Sequence, residues 1–400
     1  MSASGQGQVF RVGASALALF CAAVVFVGVV IHDRRTPDAA SARSSRLEKL
    51  GGALFADRNL SFNRRQNCVS CHSPDLAFTD PRELGAVAGA VSRGADGRSL
   101  GDRNAPPVTY AAFAPAFHID ATGEPVGGLF WDGRAATLED QAGGPPLNPV
   151  EMGMPDKASV VARLKENAAY VSAFRALFGE AVFDDDARAF AAMTAAIAAF
   201  ERAPAMSPFD SKYDRVRRGE AALTEKETAG RDLFFSRERG NCAACHMSGE
   251  GAPAEREVFS NFRYYNLGVP VNRVVRALNG SAPRVIDGGL ASGGAVPHEA
   301  RFDGRFKVPG LRNVAITAPY GHNGAFRDLR TVLLSHQRGS DPRAGERAGM
   351  GSGGFGEPEV PATVSADLKA IVRLDDRDID ALIAFLKTLT DRRYERFLKN

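Results

Sequence analysis

Cysteine is scarce, tryptophan is nearly missing, and neither sign of charge is in excess. Five Cys in 400 residues exclude a disulfide-dense scaffold, so their spacing must say what they do instead. Fifty Lys and Arg against 47 Asp and Glu leave a net charge of +3, too even for a nucleic-acid protein held by bulk charge. At 44% hydrophobic and 24% charged, the chain is neither disordered nor a multi-span membrane protein. Gly (41) and Pro (22) are plentiful for a helical protein and predict long loops between short helices.

One uncharged apolar run stands out, from Val12 to Ile31, flanked by Arg11 and by Asp33, Arg34 and Arg35. Its twenty residues match the roughly 20 needed to cross a bilayer as one helix. A cleaved signal peptide, with its apolar region of roughly 7–15 residues, is the rival reading. Here the small-residue site Ala40-Ser41-Ala42 falls well past the basic pair. Residues 1–36 are therefore expected to be a membrane anchor or signal segment, and the polar, small 37–46 a linker. The charges flanking the run are too balanced to orient it. Cys21, inside the run, reads as an inert small hydrophobe.

The other four Cys form one pattern twice: Cys68-Val-Ser-Cys71-His72 and Cys242-Ala-Ala-Cys245-His246. Two thiols three positions apart can each bond a haem vinyl group, and the next residue turns its imidazole toward the iron. A shared zinc would need Cys pairs 174 residues apart to converge, and a redox dithiol has no need of the following His. Two covalently bound c-type haems are expected. The flanks repeat too, as Gly51-x-x-Leu54-Phe55 and Gly230-x-x-Leu233-Phe234, which marks a duplicated cytochrome c-like unit. Phe190, Met193, Ile197 and Phe200, and likewise Ile379, Leu382, Ile383, Leu386 and Leu389, recur at helical spacing and read as core. The fold expected is mainly α: two cytochrome c-like haem domains at 47–205 and 206–400, with long loops, preceded by a transmembrane helix. Because c-type haem is assembled outside the bacterial cytoplasm, the body is expected in the periplasm, anchored to the inner membrane by residues 12–31.

Further motifs surround the haem sites: Phe130-Trp131-Asp132-Gly133-Arg134, Leu138-Glu139-Asp140-Gln141-Ala142, Pro149-Val150-Glu151-Met152, Phe306-Lys307-Val308-Pro309, Leu311-Arg312-Asn313-Val314 and Ala318-Pro319-Tyr320-Gly321-His322-Asn323-Gly324. Together, in this order, they resemble the bacterial di-haem cytochrome c peroxidase family, which includes the MauG-type enzymes. The resemblance implies that peroxide reacts at the first haem and that the second, six-coordinate haem handles electrons. His72 and His246 would be the proximal iron ligands. Gln141 and Glu151 would lie on the open face of the first haem, with Pro145 lining the pocket. A carboxylate there can carry a proton from the near to the far peroxide oxygen while an amide orients it. Trp131, the only Trp, would lie between the haems. Calcium would be held by Asn104, Thr317 and Pro319. The distal ligand of the second iron, Met or Tyr in the family, would here be His336, with His322 and Met350 as alternatives.

One departure matters. Classical members carry a His in the loop before Arg103-Asn104-Ala105-Pro106 that blocks the peroxide iron at rest, yet no His occurs from Ser73 to Phe117. His118, just past this stretch, reads as a surface residue. The first iron is therefore expected to be five-coordinate without reductive activation. The leading expectation is a periplasmic peroxidase reducing hydrogen peroxide with electrons from a small cytochrome c or cupredoxin. A MauG-like enzyme oxidising residues of a partner protein is the alternative, and a di-haem electron-transfer cytochrome a third. Gly240, where MauG carries a surface Trp, weighs against the second.

Overall fold

The computed structural model describes residues 39–81, 89–247, 256–282, 284–351 and 354–398. The expected membrane span at 12–31 lies outside them. Among the described residues no helix is long and apolar enough to cross a membrane.

The first half contains α1 (Ala39–Phe55), α2 (Leu138–Ala142), α3 (Gly144–Leu147), α4 (Lys157–Lys165), α5 (Ala168–Phe178) and α6 (Asp186–Glu201). The second contains α7 (Lys212–Arg217), α8 (Glu225–Phe235), α9 (Arg273–Leu278), α10 (Leu329–His336), α11 (Ala344–Arg347) and α12 (Asp376–Lys387). Two short antiparallel ribbons accompany them, β1 (His118–Ile119) with β2 (Pro125–Val126), and β3 (Tyr264–Tyr265) with β4 (Phe306–Lys307). Helix starts are capped by side chains: Thr137 and Asp140 close a capping box on α2, Thr224 and Glu227 on α8, and Asp375 and Asp378 on α12.

The duplication is visible as a repeated helix crossing: α1 packs along α6, and α8 along α12. The repeated glycines explain how close these crossings are. A Cβ on Gly51 would meet the Ala196 carbonyl oxygen at 1.9 Å, and one on Gly230 would meet the Ala381 oxygen at 1.9 Å. Each crossing sits in its own core. One holds Leu54, Phe55, Met193 and Ile197; the other holds Leu233, Phe234, Leu382 and Phe385. The two apolar stripes read from the sequence supply α6 and α12 with these contacts. Met206 belongs to the first core and Tyr213 to the second, so the chain crosses between them.

One expectation is corrected. Most of the segment 37–46 is not linker, because α1 begins at Ala39. Ala39, Ala40, Ala42, Arg43 and Arg46 favour helix, Leu47, Glu48 and Lys49 continue it, and the Arg43 guanidinium donates to the Leu177 carbonyl at 2.9 Å.

Polar contacts tie the halves together. Tyr110 donates to Asp391 at 2.5 Å, and Arg103 grips Asp287 through two hydrogen bonds of 2.7 and 2.8 Å.

Candidate functional site

Both Cys-x-x-Cys-His segments fold the same way. Cys68–Ser70 and Cys242–Ala244 are single 3-10 turns, and the His72 and His246 amides each donate to the first Cys carbonyl at 2.8 Å. Asn67 caps the first turn. The turn places each imidazole beside its thiols. His72 Nδ1 contacts the Phe78 carbonyl at 2.9 Å and His246 Nδ1 the Phe259 carbonyl at 3.1 Å, so each Nδ1 is held by a backbone carbonyl, the arrangement that a ligating Nε2 would need. The four cysteines form no disulfide.

Each motif opens onto a cavity. The first, about 570 Å3, is lined by Cys68, Cys71, His72, Trp131, Gln141, Pro145, Glu151 and Glu201, with Phe55, Leu129 and Ile197 among its apolar walls. Gln141 comes from α2, and Pro145 from α3. The loop after α3 folds back onto it, with Met152 donating to the Pro145 carbonyl at 3.2 Å and Glu151 to the Asn148 carbonyl at 3.0 Å. That fold-back carries Glu151 to the cavity where Gln141 already lies. Glu151 accepts a hydrogen bond from Asn148 Nδ2 at 2.7 Å. Burial pushes its carboxyl above the usual range, while Asn148 and Arg134 oppose the shift.

The second cavity, about 360 Å3, is lined by Cys242, Cys245, His246 and His336, with leucines from α10 and α12. His336 ends α10 and contacts the Val332 carbonyl at 2.8 Å through Nδ1. Burial, and then His336, lower His246 to about 4; burial also lowers His336, so both are neutral imidazoles at neutral pH. His322 lines the same cavity but stacks on Phe306, with ring centroids 3.6 Å apart. Met350 is exposed and His118 lies on exposed β1.

Trp131 lines both cavities. Its indole Nε1 donates to the Asn104 carbonyl at 2.9 Å, and its own carbonyl accepts from the Lys307 amide at 2.9 Å. Asn104, Thr317 and Pro319 line the second cavity, and the Asn104 amide donates to the His322 carbonyl at 2.7 Å. Among the described residues no group of three His, Cys, Asp or Glu could hold a metal, so a cation beside Asn104 would depend on neutral oxygens.

Paired thiols, an imidazole whose Nδ1 is held by a backbone carbonyl, and apolar walls fit a covalently attached haem in each cavity. The sequence comparisons agree. Residues 45–222 match the family model for di-haem cytochrome c peroxidase. The methylamine utilization protein MauG of Paracoccus denitrificans is 49% identical over 93% of this chain and 96% of its own length. The chain belongs to the di-haem cytochrome c peroxidase and MauG family. Cytochrome c551 peroxidase of Pseudomonas aeruginosa is 30% identical over 72% of this chain and 71% of its own. Among solved structures, the diheme peroxidase BthA from Burkholderia thailandensis superposes with a TM-score of 0.78 at 33% identity, covering 88% of each chain. The protein is thus an oxidoreductase of a family that carries two c-type haems and uses peroxide.

Sequence reasoning passed over two residues. Glu201 closes the α6 stripe, is 4% exposed and lines the first cavity; burial pushes its carboxyl up to about 8. Its only sequence signal was a carboxylate ending an apolar helical face. Lys307 lay inside a quoted motif, but nothing in the sequence placed it at both cavities.

Proposed function

We propose that this chain uses hydrogen peroxide to oxidise residues of a partner protein, as a MauG-like enzyme. One observation carries the reading. His72 is the only His among the described residues lining the first cavity, and no His occurs from Ser73 to Phe117. Among the described residues no second imidazole lines that site to shut it in the resting state. The 49% identity to MauG supports the same reading.

Haem held by Cys68, Cys71 and His72 would supply the iron at which peroxide is reduced, and haem held by Cys242, Cys245, His246 and His336 an iron that exchanges electrons. The chain's own residues do the rest. Glu151 takes the proton of the near peroxide oxygen and returns it to the far one as the O–O bond breaks; Gln141 orients the peroxide, and Pro145 walls the pocket. Two electrons from the partner and two protons complete the reduction of one peroxide to two waters. Trp131, a wall of each cavity, is the aromatic bridge between the sites. Asn104, Thr317 and Pro319 would offer calcium one amide and two backbone oxygens. We place the body in the periplasm, with residues 12–31 as its inner-membrane anchor.

A second reading, a peroxidase fed by a small cytochrome c or cupredoxin, is favoured by His336 in the second cavity where MauG-type enzymes carry Tyr. The deciding experiment begins with the EPR spectrum of the oxidised holoprotein. One high-spin and one low-spin ferric signal are expected, followed by reaction with peroxide without prior reduction. Two low-spin signals and no reaction would leave only an electron carrier. Rapid steady-state turnover with reduced cytochrome c would favour the second reading. Slow turnover with a persistent peroxide-oxidised form favours the first.

A further inference from the structure

A cluster of charged side chains sits at the wall shared by the two cavities, and its charges do not balance. Arg103 bonds Asp132 at 2.6 Å and Asp287 at 2.7 Å, and Arg134 bonds Asp132 at 2.9 Å. Asp132 is 3% exposed, and Asp287 and Arg103 are also largely withdrawn from water. The third cation is Lys307, on β4. It lines both cavities, as do Trp131, Asn104 and Asp287. Its Nζ donates to the Gly128 carbonyl, and its backbone amide holds the Trp131 carbonyl. Among the described residues no carboxylate lies within ion-pair distance of Nζ, and Asp132, the nearest opposing charge, already serves two arginines. Three cations thus face two ion-paired carboxylates; Glu151, which Arg134 also acts on, forms no ion pair with them among the described residues. Nearby, Arg276 is matched by Glu359 and Arg305 by Glu124, so neither neighbour removes the excess.

Lys307 is half-buried, and a cation withdrawn from water without an ion-pair partner is costly and is normally found with an anion beside it. Burial lowers the Lys307 ammonium to about 8, and at neutral pH it remains mostly charged. The cluster is therefore built for an anionic group brought to the wall from the cavity side. Every c-type haem carries two carboxylate substituents, and two haems would bring theirs to cavities that meet at this residue.

We propose that Lys307 is a positioning residue common to both redox sites, pairing with haem carboxylate at the wall beside Trp131 and so setting the potentials of the two sites together. The inference rests on the two-haem reading above. A positive charge next to both sites favours the reduced state of each, with a strength that falls with distance and polarity.

The test is spectroelectrochemical titration of the intact holoprotein with Lys307→Met and Lys307→Arg. Lys307→Met is expected to move both midpoint potentials downward, and Lys307→Arg to leave both near the wild-type values. A shift confined to one haem, or to neither, overturns the proposal. So does an equal shift in both variants, which would mean that shape and not charge matters. Chloride titration at constant ionic strength separates the source of the anion. Potentials that follow chloride in wild type but not in Lys307→Met would assign the site to a free ion and refute haem pairing. If Lys307→Met loses haem, Lys307→Arg must still carry two haems at near-native potentials, or the proposal falls. A wild-type protein with fewer than two haems would instead sink the underlying functional reading.

Discussion

Replacing Glu151 by Gln should slow the reaction with peroxide by about 100- to 10,000-fold, the usual contribution of one positioned proton-transfer group. The structure gives reasons to expect no rescue. The other carboxylates lining the first cavity are engaged or silent. Asp132 and Asp287 are held by arginines, Asp102 accepts from Asn279 at 2.6 Å, and burial keeps Glu201 protonated at neutral pH. Glu151 accepts one hydrogen bond, from Asn148, and the amide oxygen of the substituted side chain would keep that acceptor and the shape of the site. The loss is then purely of proton transfer, equivalent to about 3–5 kcal/mol of barrier. Stopped-flow mixing of oxidised holoprotein with peroxide, followed in the Soret band, measures it. A companion variant fixes the mechanism. The Asn148 hydrogen bond favours the carboxylate form, so Asn148→Ala should raise the Glu151 pKa further and move the acid limb of the pH–rate profile to higher pH. A Glu151→Gln protein reacting within about threefold of the wild-type rate would refute the assignment of Glu151 as the proton carrier, since one such group contributes about 100-fold or more.

The two helix crossings invite a matched pair of substitutions: Gly51→Ala and Gly230→Ala should each destabilise the protein by about 1–3 kcal/mol, read as a lowered thermal midpoint, because the added methyl meets backbone at 1.9 Å. Glu201 binds its proton more tightly folded than unfolded, so its stabilisation is complete below about 4.5 and is lost as pH rises through about 8. Glu201→Gln should therefore gain on wild type across that window, by up to about 1.4 kcal/mol per pH unit, in denaturant titrations at about pH 5 and about pH 8; a pH-independent difference would show the carboxyl to be solvated. His336→Ala should convert the low-spin ferric EPR signal of the second site to high spin and leave the first site's signal unchanged, whereas an unaltered spectrum would remove His336 from the iron.

Much of the chemistry was readable locally. The thiols and imidazole of each haem motif fall within five residues, and one 3-10 turn converts that spacing into a ligand set. Gln141 and Glu151 are ten residues apart, joined by the α3 fold-back that Pro145 and Asn148 stitch together. The repeated glycine, leucine and phenylalanine marked a duplicated cytochrome c-like unit; that the glycine serves a close helix crossing became visible only in the packing of α1 on α6 and α8 on α12. The start of α1 was misjudged because polar, small residues look like linker until a partner such as the Leu177 carbonyl is there to hold them.

The amino-acid sequence by itself determined that there are two haem-attachment motifs, each with its thiols and imidazole within five residues, and that Gln141 and Glu151 lie ten residues apart, because those groups lie close along the chain. Only the tertiary structure decided that Trp131, Asn104 and Lys307 share the wall of both cavities, that Arg103 is paired with a carboxylate 184 residues away, and that Glu201 is shut away from water. Burial and long-range charge pairing depend on which distant segments pack together, and no local pattern of residues encodes that.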